Sequence, residues 1–118
     1  MKFSCSLKLN YVFRRLYGTT AYANSCLVLY ARRNRSATNR VGVTVSKKLG
    51  GAVVRNRVRR RLREVYRLHE SEFLPGWDIV VVARSKAIHT PFSKLEGLYL
   101  EAARSAGCLA QSESETMV

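Results

Sequence analysis

The chain has 118 residues and a formal net charge of +13, with 21 Lys and Arg against 8 Asp and Glu. A length of this order suits one compact domain, and a hydrophobic content of 47% is enough to build a core, which excludes a globally disordered chain. Three scattered cysteines without a C-x-x-C pair argue against a disulfide framework or a zinc site and fit a reducing cytoplasm, while no apolar run approaches the length of about 20 residues that a membrane span needs.

The first half of the chain predicts one short helix followed by two or three strands. Residues 10–17 carry an apolar stripe at helical spacing, with Gly18 as the stop. Residues 25–31 are almost entirely apolar and predict a strand, and the basic stretch 32–40 predicts a turn. Residues 40–46 alternate between valines and small or polar side chains, which is typical of a half-buried strand.

The second half predicts a helix, a strand and a closing helix. Residues 47–51 form a flexible basic connection into a helix that runs to about residue 68 or 71. Residues 77–83 are continuously apolar apart from one Asp, which indicates a central strand covered on both faces. A last amphipathic helix ends near Gly107. We therefore expect one domain over residues 1–107 and a polar, disordered tail over residues 108–118.

The helix in the middle of the chain is exceptionally basic. Residues 55–67 contain seven arginines and one acidic residue, Glu64. At about 100° per residue, the apolar side chains fall within one third of the circumference and most arginines cover the remainder. These apolar side chains are Val54, Val58, Leu62, Val65 and Tyr66. So many like charges on one helix repel each other, and a polyanion would neutralise them.

Nucleic acid is the predicted partner of this basic region. Thirteen of the 21 cations lie between residues 32 and 67, so the charge forms a patch. A membrane surface is the weaker alternative, because helices that bind membrane surfaces usually place Trp, Phe and Leu beneath the basic face. Here the apolar arc of the helix is rich in valine, which suits packing on a sheet.

The segment from Val41 to Arg63 resembles the signature of the bacterial ribonuclease P protein subunit. It holds a strand ending in Ser-Lys-Lys, a glycine pair and an Arg-Asn-Arg sequence that opens a basic helix, and the likeness extends over roughly residues 5–107. The resemblance implies a single-domain α+β fold, an α/β sandwich of ribosomal-protein type in the order α-β-β-β-α-β-α, with a left-handed β-α-β crossover. This left hand departs from the general rule that β-α-β crossovers are right-handed.

The resemblance also implies a function. In that family the RNA subunit removes the 5′ leader of precursor tRNA with bound Mg²⁺, and the protein assists substrate affinity and metal use. We therefore expect the catalytic RNA and precursor tRNA as partners, no DNA or membrane partner, no cofactor held by the protein itself, and a cytoplasmic location.

Carried over position by position, the resemblance assigns RNA contact to the basic helix and its approach. These residues are Ser46, Lys47, Lys48, Arg55, Asn56, Arg57, Arg59, Arg60, Arg61 and Arg63. It assigns a cleft for the single-stranded leader to Phe13, Tyr17 and Tyr30, and we add Thr44 from the non-valine face of its strand. Arginine forms bidentate bonds to phosphate, and a base stacked on an aromatic ring contributes about 1–3 kcal/mol.

Some of these residues have other interpretations from the sequence. Asn56 has three possible roles: orienting Arg55, bonding RNA, or capping the start of the helix. Phe13 and Tyr17 share one helix face and are alternatively core residues. A strand tyrosine such as Tyr30 is commonly a core residue with a solvated hydroxyl.

The polypeptide shows no pattern of a hydrolytic centre. No carboxylates have the spacing of a two-metal nuclease, no Cys-His or Ser-His arrangement stands out, and His69 and His89 are expected at the surface or at helix ends. We predict no catalytic or metal-binding residue. The alternatives are a structural RNA-binding protein of ribosomal type, a protein-only nuclease, and a DNA-binding helix-turn-helix module, which would need helices close on both sides of the arginine helix.

Overall fold

The computed structural model describes residues 4–6 and 21–109, which form one five-stranded sheet and two α-helices. The strands are β1 (Ser4–Ser6), β2 (Ala21–Ala23), β3 (Leu27–Arg33), β4 (Asn39–Thr44) and β5 (Trp77–Ala83). The helices are α1 (Ala52–His69) and α2 (Phe92–Ala106), and short 3-10 segments lie at Lys47–Leu49, Glu70–Glu72 and Ser85–Ile88. The mixed α+β class predicted from the sequence is confirmed.

The order of strands across the sheet is β1-β4-β5-β3-β2. Strands β4 and β5 are parallel neighbours joined through α1, so the predicted β-α-β crossover is present. Its left hand stays a prediction from the resemblance. Strand β3 pairs antiparallel with β5 and β2, and β1 pairs parallel with β4. Strands flank α1 in the chain on both sides, which excludes the helix-turn-helix alternative.

The hydrophobic core lies between the sheet and both helices. Burial of each large apolar side chain there stabilises the fold by about 1.5–3 kcal/mol relative to exposure. The valine-rich arc of the arginine helix is confirmed as its packing face. The largest fully buried members of this core come from β3, α1, β5 and α2: Leu27, Leu29, Val58, Leu62, Val65, Tyr66, Ile79, Val81, Leu95 and Tyr99.

Strand β5 is central and buried, as the sequence predicts. Val81 contributes to the core beneath the helices, whereas Val80 is fully buried on the opposite side of the strand and lies outside that core cluster. Residues alternate between the two faces of a strand, so the continuous apolar run of β5 reflects burial on both faces.

A buried asparagine joins three elements at one end of the sheet. The amide nitrogen of Asn39 donates to the hydroxyl of Tyr66 at 3.2 Å and to the carbonyl of Leu74 at 3.0 Å. Its carbonyl oxygen accepts the backbone N–H of Trp77 at 2.8 Å. Because both ends of the buried amide are paired, Asn39 fixes the starts of β4 and β5 against α1 without leaving an unsatisfied polar group.

The strands in the first half of the chain differ from the prediction: β3 covers Leu27–Arg33 where the sequence predicts 25–31, and β4 covers Asn39–Thr44 where it predicts 40–46. Strand β3 begins at Leu27 and not at residue 25, because the side-chain carbonyl of Asn24 accepts the N–H groups of Cys26 at 3.0 Å and of Leu27 at 3.1 Å and forms a turn there. Strand β1 is three residues long and has no alternating apolar pattern, so the sequence carries no signal for it. The helix predicted over residues 10–17 lies outside the described residues.

The C-terminal boundary needs a correction. The sequence predicts that the tail starts at residue 108, but Cys108 and Leu109 are buried in the core. Gly107 ends α2 in the left-handed conformation, with φ 89°, and turns the chain back. Leu109 then bridges to Phe73, and the carbonyl of Cys108 accepts the N–H of Leu74 at 2.8 Å. Residues 110–118 lie outside the described residues.

Candidate nucleic-acid interface

Helix α1 exposes most of its cations because its apolar side chains are buried in the core. The helix begins after Gly51, and its four buried residues all face the sheet and α2. Arg57, Arg60 and Arg63 are exposed, and Arg55 and Arg59 are half-buried. We call these five arginines, together with Asn56, Lys47 and Lys48, the basic face.

The basic face keeps its positive charge within the described part of the chain. The ion pairs found there leave Arg57, Arg59, Arg60 and Arg63 without a carboxylate partner. The single acid of the segment, Glu64, is instead engaged by Arg67, whose Nε lies 2.6 Å from its carboxylate. Hydrogen bonding to Arg67 lowers the pKa of Glu64, although both side chains are solvent-exposed. The unneutralised charges can therefore meet an external polyanion.

Asn56 orients an arginine and does not cap the helix. Its side-chain oxygen accepts a hydrogen bond from Nη1 of Arg59 at 2.9 Å. The capping interpretation is wrong because α1 starts at Ala52, four residues earlier, with Gly51 in the capping position. The partner is Arg59, one turn along the same helix face, and not Arg55.

Arg61 differs from the other arginines of the helix. Its Nη1 donates to the carbonyls of Ala87 at 2.7 Å and of Ile88 at 3.3 Å, and its Nη2 donates to the carbonyl of Thr90. The guanidinium therefore satisfies backbone acceptors between β5 and α2. The sequence groups Arg61 with the RNA-binding residues, but its partners here are internal and the side chain is half-buried.

The approach to α1 is ordered and not a flexible connection. The side chain of Ser46 accepts the N–H of Lys48 at 3.2 Å and caps a 3-10 turn that exposes Lys47 and Lys48. Gly50 follows with φ 142°, where a Cβ would lie 3.2 Å from Cβ of Val54. A glycine at this position permits the close turn from the 3-10 segment into the helix.

The sheet face opposite the helices carries the other predicted site residues. Strand pairing sets Tyr30 beside Val80 and Thr44 beside Val82. Paired residues share a face, as do residues two apart in a strand, so Tyr30 and Thr44 lie on one side of the sheet with β5 between them. We call this side the far face; its smaller members near these positions are Ala21, Ala23, Val28 and Gly42.

The composition of the far face suits a stacking surface. Tyr30 is half-buried and does not belong to the core cluster. Its partner on β2 is Ala21, which has a small side chain. Phe13 and Tyr17, the other aromatic residues assigned to the leader cleft, lie outside the described residues.

At one end of the far face lies the carboxylate of Asp78, whose charge is neutralised by an arginine. Asp78 is 5% exposed and accepts two hydrogen bonds from Arg40, at 2.7 Å from Nε and 2.6 Å from Nη2. It accepts a third from the side-chain amide of Asn34 at 2.9 Å. A buried carboxylate is stable only with donors of this kind around it. The pair of Asp78 and Arg40 gives this end of the sheet no net negative charge.

A histidine clasp joins the two helices and was not predicted from the sequence. Nδ1 of His69 lies 2.5 Å from the carboxylate of Glu72, and Nε2 lies 2.7 Å from that of Glu96 on α2. Burial lowers the pKa of His69, but the hydrogen bonds to Glu96 and Glu72 outweigh it, so its pKa lies above the ordinary value. Sequence spacing reveals the Glu72 contact at i+3 but not the contact with a residue of another helix.

The described residues hold no cluster of three or more His, Cys, Asp or Glu that suits a metal ion. Among the same residues, none of the helices is both long and apolar enough to cross a membrane. Cys26 and Cys108 are buried and free, and burial raises the pKa of Cys108 to about 12.

Comparisons with known proteins agree on one family. The family model described as Ribonuclease P matches residues 1–106. The chain is 38% identical to the ribonuclease P protein component of Natranaerobius thermophilus over 91% of its own length and 94% of that protein. It is 41% identical to the component of Clostridium novyi, covering 91% of this chain and 97% of that one. The structure of the Staphylococcus aureus RNase P protein superimposes with a TM-score of 0.80 at 33% identity, covering 88% of this chain and 96% of that one.

Proposed function

The chain belongs to the ribonuclease P protein family, and from this membership we propose that its two surfaces serve two different RNA partners. As a member it is an RNA-binding accessory subunit of ribonuclease P, the endoribonuclease that processes the 5′ end of tRNA. Membership implies association with an RNA subunit and with precursor tRNA. We assign the basic face to the RNA subunit and the far face to the single-stranded leader.

The basic face binds the catalytic RNA. The observation that supports this most is the set of exposed arginines on α1, since Arg57, Arg60 and Arg63 have no carboxylate partner among the described residues. Their guanidinium groups suit phosphate oxygens, and binding them releases counterions from the RNA. Lys47 and Lys48 continue the positive charge from the start of the helix, while Asn56 holds Arg59 in position.

The far face receives the single-stranded leader. Tyr30 offers a ring for stacking, and its strand neighbours on this face, Ala21 and Val80, have smaller side chains. Thr44 lies on the same face and offers a hydroxyl. Phe13 and Tyr17 belong to this proposal through the resemblance alone. In this scheme the described part of the protein supplies neither a catalytic residue nor a metal site.

The chemistry belongs to the RNA subunit and its Mg²⁺. Cations on α1 lower the repulsion between two large polyanions, which favours substrate binding and Mg²⁺ occupancy near the scissile phosphate. The buried, unbridged cysteines agree with a reducing cytoplasm as the place of action.

Reconstitution tests this function. The purified protein is mixed with its RNA subunit and precursor tRNA at low Mg²⁺, and cleavage is compared with that of the RNA alone and of the protein alone. We expect the protein to raise cleavage by the RNA and to cleave nothing by itself. No increase would leave only a structural RNA-binding role, and cleavage by the protein alone that survives stringent purification would support a protein-only nuclease.

A further inference from the structure

We propose that Arg32 and Arg35 extend the far face into a phosphate-binding track for leader nucleotides lying beyond Tyr30. The track rests on the proposed function of the far face as the leader site. It runs from the end of β3 into the connection to β4, residues 34–38, and shares no residue with the basic face of α1.

Strand pairing places Arg32 on the same face as Tyr30. Arg32 follows Tyr30 by two residues, about 7 Å along the strand, and its strand partner is Asp78. The side chain of Arg32 is exposed, and none of the ion pairs found within the described residues includes it. A strand of nucleic acid that stacks a base on Tyr30 can therefore bring a neighbouring phosphate to Arg32.

The acidic neighbour does not cancel this charge. Asp78 lies between Arg32 and Arg40 in the sheet and would attract Arg32 if it were free. Arg40 and Asn34 already donate three hydrogen bonds to its carboxylate. Because Arg40 neutralises Asp78, the positive charge of Arg32 remains available to an external anion.

The turn after β3 is held in one shape. Asn34 accepts the N–H of Ser36 at 2.7 Å and donates to the carbonyl of Thr38 at 3.0 Å, besides its bond to Asp78. Its own N–H donates to the carbonyl of Gly76 at 2.9 Å. The chain packs so closely there that a Cβ on Gly76 would lie 2.7 Å from the carbonyl oxygen of Ser36. Asn34 thus anchors the turn to the start of β5.

This turn exposes Arg35 at its tip. Arg35 is the one non-glycine residue with positive φ, 65°, in the part of the chain that the structure describes. That conformation is unfavourable for an arginine, and the bonds of Asn34 hold it in place. A fixed backbone reduces the entropy lost when the guanidinium binds a phosphate.

Arg33 provides a matched contrast. It follows Arg32 in the same strand but lies on the helix side, where its guanidinium is 5.6 Å from the ring centre of Trp77. A substitution at Arg33 removes the same charge from the opposite face. Lys94, exposed on α2, supplies a second charge for the control.

The test uses the reconstituted holoenzyme and two precursor tRNAs, one with a short leader that ends on the far face and one with a longer leader that runs past it. We expect R32Q/R35Q to bind the long-leader substrate about tenfold more weakly. The slope of log affinity against log salt should fall by about 1.4, that is about 0.7 for each single-strand phosphate contact. Binding of the short-leader substrate, of mature tRNA and of the catalytic RNA alone should stay at the wild-type level.

The control R33Q/K94Q should leave the long-leader preference intact. Equal losses for R32Q/R35Q and the control would mean that net charge alone matters and would overturn the proposal. A loss confined to the catalytic RNA would assign these arginines to that RNA and would overturn it as well, as would wild-type binding of every ligand. If the wild-type protein stimulates cleavage while R32Q/R35Q shows no defect, the phosphate track is refuted and the proposed function stands.

Discussion

The basic face of α1 and the far face of the sheet use different physical interactions. The basic face concentrates charge on one helix and leaves it without carboxylate partners among the described residues, whereas the far face combines a half-buried ring with small side chains and a carboxylate that is already neutralised. The first suits an interaction that weakens steeply with salt. The second suits stacking, which depends little on base identity. In the proposed function, the same short chain therefore separates a long-range attraction from a contact with unpaired nucleotides.

The largest effect on the difference between the two faces is expected from removing positive charges from α1. The triple variant R59Q/R60Q/R63Q should bind the catalytic RNA about 100-fold more weakly, because it removes three phosphate contacts. The slope of log affinity against log salt should fall by about two to three units. Filter binding or fluorescence titration over a salt series measures both quantities.

The control for this variant is R33Q/K86Q/K94Q, which removes three exposed positive charges outside α1. It should change the slope by less than about one unit. If both triple variants lose affinity equally, the contact is with the overall charge of the protein and not with the basic face.

A second test compares the contributions of two arginines of α1, Arg61 and Arg60, to the stability of the fold. R61Q should lower the free energy of unfolding by about 2 kcal/mol, because the backbone carbonyls of Ala87, Ile88 and Thr90 lose a charged donor. R60Q should leave stability within about 0.5 kcal/mol of wild type, since its side chain is exposed. Urea unfolding followed by circular dichroism makes the comparison, and equal stability of the two variants would contradict the structural role of Arg61.

On the far face the expected loss is smaller and limited to the leader. Tyr30→Ala should weaken binding of leader-bearing precursor tRNA about tenfold, because one stacked base loses its ring. The salt slope and the affinity for mature tRNA should not change. Tyr30→Phe keeps the ring and serves as the control. A loss that is the same for mature and precursor tRNA would remove the stacking role.

The smallest effect concerns the clasp that holds the two helices together. The folded-state pKa of His69 lies above that of the unfolded chain, so folding is favoured by its protonated form. This stabilisation is complete below the ordinary pKa of about 6.5 and is lost as the pH rises through the folded value. His69→Gln should therefore flatten the decrease of unfolding free energy across this range.

His89→Gln is the matched control for the clasp, because His89 is exposed. The free energy of unfolding is measured in urea at several pH values from about 5.5 to about 8.5. A wild-type profile that shows no extra stability at the acidic end would contradict the clasp.

Most of the fold can be predicted from the sequence because periodicity is strong where burial is one-sided or complete. The valine-rich arc of α1 and the continuous apolar run of β5 each identify their element and its packing. Strand β1 escapes prediction because a three-residue strand is defined by its partner β4 and not by its own pattern. Leu109 is assigned to the tail by its polar neighbours, although its contact with Phe73 holds it in the core.

The site is predicted less completely, for a physical reason. Composition shows that arginines are abundant, but not which acceptors each one meets. Arg61 finds carbonyls 26 to 29 residues further along the chain. Asn56 resembles a cap only while the true start of α1 at Ala52 is unknown. The outcome for Arg61 depends on tertiary neighbours, which a local pattern does not contain, and the outcome for Asn56 depends on where the helix begins.

The bonds of Arg61 have a consequence for how mutations are tolerated. We expect loss of Arg61 to lower the amount of folded protein, and loss of Arg57, Arg60 or Arg63 to lower the affinity for RNA without changing the amount of folded protein. Positive charge should therefore be movable among the exposed positions of α1 without loss of folding, whereas the arginine at position 61 should not be replaceable in this way.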